Sequence, residues 1–170
     1  AGMSEVMLER FDEFCDLAQK YDFKLIVCLL TGHMTTRLFV PPALEGLDLF
    51  EHPLARKWEV KFVKHFVSRM KHHPAIAAWQ SGNESNFLSA ATESAACWSW
   101  TALIHDAIRC CDLEHPIIGI DCMALEETKE EKWLLADQAE LCDILSVHAY
   151  SLWRDVHGRE PFNTIRNLHH

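Results

Sequence analysis

The sequence contains no apolar run approaching the ~20 residues needed to span a bilayer, so no membrane partner is expected. It has no Gly-x-Gly-x-x-Gly and no Walker-type loop, which removes the residues that open α/β sheets use to cradle nucleotide phosphates. Its 11 histidines include no His-Glu-x-x-His or comparable ligand set. Adjacent His72 and His73 cannot both face one ion from a helix, so neither a metal nor another cofactor is expected. Positive charge is scarce: 16 Lys and Arg stand against 25 Asp and Glu, for a net charge of -9. Such a chain repels phosphate backbones, and no nucleic acid partner is expected. Its main basic cluster, Arg69, Lys71, His72 and His73, falls where a helix should end, a position in which cations favour the helix dipole.

Cys-x-x-Cys pairs are also missing. The seven cysteines (Cys15, Cys28, Cys97, Cys110, Cys111, Cys122 and Cys142) are odd in number and fall inside expected helices and strands. That pattern reads as free buried thiols in a reducing compartment. The cytoplasm is favoured, with secretion left open for a chain that has lost a signal peptide.

What is present is ordinary globular composition, with 49% hydrophobic and 24% charged residues. A chain of 170 residues suffices for one domain that buries roughly 70% of its unfolded surface. Ser4 can cap a helix whose apolar residues Met7, Phe11, Phe14, Ala18 and Tyr21 recur at helical spacing. The run Leu25 to Leu30 is continuously apolar, as expected of a strand covered on both faces. Gly32 to Pro53, rich in proline, reads as a long and therefore functional loop. A helical stripe follows through Trp58, Phe62, Val63, Phe66, Val67 and Met70, then a short strand from Ala75 to Trp79 closed by Gly82. A third helix is expected from about Thr92 to Cys111, a strand from Pro116 to Asp121, and a weaker helix around Glu130 to Ala139. Asp143 to Val147 forms the fourth strand, and Pro161 opens a final helical segment.

Helices alternating with buried strands demand a parallel sheet with crossover connections. Two architectures satisfy this: a doubly wound open sheet, or part of a (β/α)₈ barrel, whose full form takes about 250 residues. In either, ligands gather at the carboxyl ends of the strands. Those positions hold Thr31-Gly32-His33, Ser81-Gly82-Asn83-Glu84-Ser85-Asn86, Asp121-Cys122 and His148-Ala149-Tyr150.

Trp79-Gln80-Ser81-Gly82-Asn83-Glu84 resembles the fourth-strand signature of clan A retaining glycoside hydrolases. Ser146-Val147-His148-Ala149-Tyr150 is similar to that clan's sixth-strand His-x-Tyr, and the interval of 64 residues from Glu84 to His148 suits two βα units. His33 resembles the active-site histidine of the cellulase-like glycoside hydrolase family 5. The resemblance implies a partial (β/α)₈ barrel, about strands 3 to 6 with their helices, as one truncated domain over 1–170. It implies that Glu84 is the general acid/base and that Asn83 binds the sugar 2-hydroxyl. His33, His148, Tyr150 and Trp153 would line a cleft for a β-linked oligosaccharide or polysaccharide such as a glucan or mannan. An acid/base of this kind must hold its proton near neutral pH. The nucleophile carboxylate follows the seventh strand in the family, so it is expected one or two βα units downstream of this chain, and the isolated chain is expected to be inactive or incomplete. A partial barrel leaves sheet edges open, so self-association through them is expected.

Other readings stand beside these. Asn-Glu after glycine is a short motif, and a glutamate at a helix start is commonly just favourable to the dipole. His33 can equally be a turn residue, and Trp153 can equally be core. Trp58 and Trp100 lie on helical apolar stripes and read as core, while Trp79 can face either way. Asp121 and Glu126 read as capping and solvated carboxylates. The competing function is a non-catalytic carbohydrate-binding or scaffold protein, and the competing fold is an open α/β sheet of unrelated activity. All of the catalytic reading requires Glu84 to face His148 and Tyr150 across one rim.

Overall fold

A computed structural model describes residues 3–34, 37–119 and 132–148. Helix α1, Glu5–Lys20, begins after Ser4, whose backbone is extended and whose carbonyl accepts from the Met7 and Leu8 amides; its side chain makes no capping bond. The buried seam of α1 is Leu8, Cys15 and Ala18, with Phe11 meeting Phe66 edge-on at 5.1 Å. Met7, Phe14 and Tyr21, expected to face inward, are exposed. Residues seven apart form a stripe of their own on a 3.6-residue helix, and Leu8 starts the neighbouring stripe one residue on, which is the one that packs.

Strand β1, Leu25–Leu30, follows. Its Val27 and Leu29 are buried, whereas Ile26 is 58% exposed, so β1 is covered well on one face only and the expectation of burial on both is corrected. The segment expected as an irregular loop folds in part: β2, His33–Met34, pairs antiparallel with β3, Arg37–Leu38, and a 3₁₀ turn spans Pro42–Leu44. Helix α2, Pro53–Met70, starts with proline at its first turn, where no amide partner is lost. The His52 Nδ1 accepts from the Leu54 amide. Lys71 and His73 close α2, the first donating from Nζ to the Cys111 carbonyl (2.6 Å), the second meeting Asp16 (3.2 Å).

Strand β4, Ile76–Gly82, lies parallel to β1, with Val27 opposite Trp79, Cys28 opposite Gln80 and Leu30 opposite Gly82. Trp79 is fully buried toward the helices, against Phe66, with its Nε1 donating to Asp112 (2.8 Å). Helix α3, Ser94–Arg109, buries Trp100 against Phe50 and Trp133. Trp100 is core as expected; Trp58 is only partly buried, with the Lys61 ammonium 4.8 Å over its ring. Strand β5, Ile117–Ile118, pairs parallel with β4, and Ile144 bridges Ile118 in the same sense. Helix α4, Leu135–Leu141, begins five residues later than expected. Beyond Gly119, the remainder of the expected third strand and Cys122, Asp121 and Glu126 lie outside the described residues, as does the segment opened by Pro161.

Among the described strands the sheet order is β1-β4-β5, the order of the chain itself. A doubly wound sheet reverses direction at a switch point, and no reversal occurs among the described strands. Cys15 and Cys97 are buried as expected, but Cys110 is exposed, because it sits just past α3 on the outer surface. No described helix is long and apolar enough to cross a membrane.

Candidate active site

The segments that follow β1, β4 and the Ile144 bridge bring polar groups together at one rim. β1 ends at Leu30, and three residues later His33 opens β2, which pairs antiparallel with β3. Between them stands Gly32, where a methyl group would collide with the Leu88 side chain. β4 ends at Gly82, where an added Cβ would strike the Ser85 hydroxyl, and Asn83 and Glu84 follow. Glu84 adopts the left-handed conformation (φ 45, ψ 49), a position a side-chain-bearing residue occupies only under constraint. Its carbonyl accepts from the Phe87 amide, closing the 3₁₀ turn Ser85–Phe87.

This turn aims the Glu84 carboxyl between two imidazoles. Oε2 meets His33 Nδ1 at 3.1 Å and Oε1 meets His148 Nδ1 at 2.8 Å. The Glu84 side chain is 14% exposed, so it does not serve as the solvated, dipole-favouring glutamate of a helix start. An ionised carboxyl can only accept, and toward it each ring donates from Nδ1. The His33 ring also stacks at a tilt on Phe87, 4.7 Å between centroids. Asn83 Nδ2 donates to the His33 carbonyl (2.9 Å), which ties the two strand ends together and leaves Oδ1 as its acceptor. His33, Asn83, Glu84 and His148 are thus assembled on one rim as the sequence motifs required. Tyr150 and Trp153 lie outside the described residues.

One supporting residue escaped the sequence reading. His105, buried in α3, meets the Ser81 hydroxyl through Nε2 (2.9 Å) and the Leu141 carbonyl through Nδ1 (2.7 Å). The carbonyl can only accept, so Nδ1 carries the proton and Nε2 accepts from Ser81. Burial lowers the His105 pKa, which keeps this neutral form. The ring thereby links the end of β4, three residues before Glu84, to the helix that precedes His148. Its signal was a titratable residue inside an otherwise apolar helical stripe.

No family model matches the chain, and no curated protein sequence matches it either. Solved structures do. The GH5_18 protein of Streptomyces cattleya, crystallised with GlcNAc, superposes with a TM-score of 0.80 at 16% identity, over 88% of this chain and 38% of that one. The GH5_18 protein of Bifidobacterium longum subsp. longum ATCC 55813 gives 0.80 at 15% identity, over 88% and 38%. The exo-β-1,4-mannosidase Op5Man5 of Opitutaceae bacterium strain TAV5 gives 0.78 at 20% identity, over 89% and 29%. The fold is a partial (β/α)₈ barrel of the GH5 kind. The chain spans between about three and four tenths of the length of these structures. In a barrel, the rim that carries Glu84 is the carboxyl-terminal face, where barrel enzymes place their chemistry.

Proposed function

We propose that this chain carries the acid/base half of a retaining hydrolase for β-linked sugars. The observation that supports this most is the Glu84 carboxyl held between His33 and His148 at the mouth of the parallel sheet. Glu84 protonates the departing glycosidic oxygen and then takes a proton from the attacking water. The longer His33 contact is the one a leaving-group oxygen replaces, while the shorter His148 contact keeps the carboxyl in place. Asn83 Oδ1 accepts from a sugar hydroxyl next to the scissile bond. Double displacement needs a second carboxylate about 5 to 5.5 Å from the first. This reading assigns it to a later strand of the barrel. The β-1,4-mannosidase and GlcNAc-bound neighbours favour a β-linked manno- or glucosaminyl substrate over other classes.

The experiment compares the chain with Glu84→Gln on aryl β-mannosides and β-glucosaminides, with the same oligosaccharides titrated by calorimetry. Turnover that falls by about 10² to 10⁴ in the variant supports the enzyme. Saccharide binding without turnover supports a carbohydrate-binding protein built on the same rim. Neither turnover nor binding would discard the sugar reading altogether.

A further inference from the structure

A cavity of about 760 Å³ lies behind the carboxyl end of β1, between that strand, the β2-β3 segment, α2 and α3. Its walls include Leu29, Phe39, Leu44, Trp58, Phe62 and Trp100, and none of His33, Asn83, Glu84 or His148 is among them. It adjoins the candidate active site through Gly32 and Leu88 but does not include that site's polar side chains. Its volume falls within the range of small-molecule sites, roughly 300 to 1,000 Å³.

An apolar void of this kind would be unremarkable without Glu59. That residue lines the cavity and is only 7% exposed. Trp100 Nε1 donates to its Oε2 at 2.9 Å, and Oε1 has no hydrogen-bond donor among the described residues. A largely buried carboxyl with one oxygen tied to an indole and the other without a protein donor among the described residues is a ready acceptor for a donor that enters the cavity. Burial pushes Glu59 up to about 7, with Trp100 and Arg56 acting downward and Asp48 upward. Arg56 does not close the gap, since its guanidinium is spent on the Ser99 carbonyl and hydroxyl. Half-buried Thr31 and the exposed Glu5, Lys61 and His65 complete the polar part of the lining.

A ligand suited to this cavity donates a hydrogen bond to Glu59, fits among aromatic and aliphatic walls, and gains from a negative charge. An anion meets the ionised Glu59 repulsively, and a pure hydrocarbon makes no use of its open oxygen. We propose that this cavity binds a small primary amine with an aliphatic or aromatic body, its ammonium group on Glu59. This assignment is independent of the sugar chemistry at Glu84.

The test uses 2-phenylethylamine, the isosteric 2-phenylethanol and 3-phenylpropanoate, titrated into the 170-residue chain at pH 8 and pH 5. A charge-assisted hydrogen bond at a buried site predicts that the amine binds at least about tenfold tighter than the alcohol at pH 8. That preference should shrink at pH 5 as Glu59 takes up its proton. Glu59→Gln retains an acceptor for Trp100 and should bring amine and alcohol within about twofold. Should that variant fail to fold, the wild-type indole N–H resonances of Trp58 and Trp100 serve instead: both should shift on amine addition. Equal affinity for amine and alcohol, no binding of any probe, or indole signals that stay still would each overturn the proposal.

Discussion

Glu84 occupies a backbone well that a residue with a Cβ enters at a cost of about 1 to 2 kcal/mol. The cost is borne locally, at the one residue whose carboxyl must reach both His33 and His148. Glu84→Gly relieves it and Glu84→Ala does not, although both delete the same carboxyl. Urea denaturation should therefore find the glycine variant more stable than the alanine variant by about 1 kcal/mol. Equal stability of the two would mean that the turn relaxes when the carboxyl is gone. At this scale most of the site was legible in the sequence, because His33, Asn83, Glu84 and His148 each follow an apolar run, where parallel sheets present ligand-binding groups. His105 and Glu59 were not. Both sit inside helical stripes, and what makes them matter is a partner some 24 to 41 residues away that no local pattern reveals.

The turn between α3 and β5 is organised by one carboxylate. Asp112 accepts from Trp79 Nε1, from the Glu114 and His115 amides and from His115 Nδ1, at 2.7 to 3.2 Å. Burial alone would raise its pKa, but these donors overcome burial and lower it from 3.8 to about 2. A carboxyl depressed in the folded state adds stability that is present in full above its unfolded value and lost as pH falls through the folded one. Asp112→Asn should thus cost on the order of 2 kcal/mol near neutral pH. The gap between variant and wild type should narrow as pH drops from about 4 toward 2. Denaturation curves across that window measure it, and a gap independent of pH would refute the charge-based account. The helices and the strands β1, β4 and β5 were legible in order and type from apolar periodicity, whereas the expected strand from Asp143 to Val147 is reduced to isolated bridges, Ile144 to Ile118 among them. Their inward faces were less so: α1 carries apolar residues at Met7, Phe14 and Tyr21 as well as on its packed seam, and periodicity alone does not rank two adjacent stripes. The β2-β3 hairpin went unseen because its strands, two residues each, are too short to alternate.

For the whole molecule, the outer edge of β1 carries no neighbour among the described strands. Ile26 of β1 and Phe23 just before it are exposed, as are the α1 side chains Phe14 and Tyr21. An edge of this kind with apolar surroundings recruits further strands. Sedimentation velocity of the 170-residue chain should show association that grows with concentration, and Ile26→Lys combined with Phe14→Glu should shift it toward the monomer. A chain that stays monomeric at all concentrations would mean that the edge is protected. The architecture itself was readable as far as a choice between barrel and open sheet. That choice depended on strand order, a long-range property that one-dimensional patterning leaves undetermined.

Because β4 pairs with β1, and β5 with β4, each strand of the three-stranded sheet joins the strand of that sheet made before it, and the sheet can grow in step with translation. A nascent chain whose first 119 residues have left the ribosome already has the means to bring His33 to Glu84, while His148 has yet to emerge. During that interval the carboxylate has only one imidazole beside it, and arrival of the second completes the clasp across 64 residues of chain.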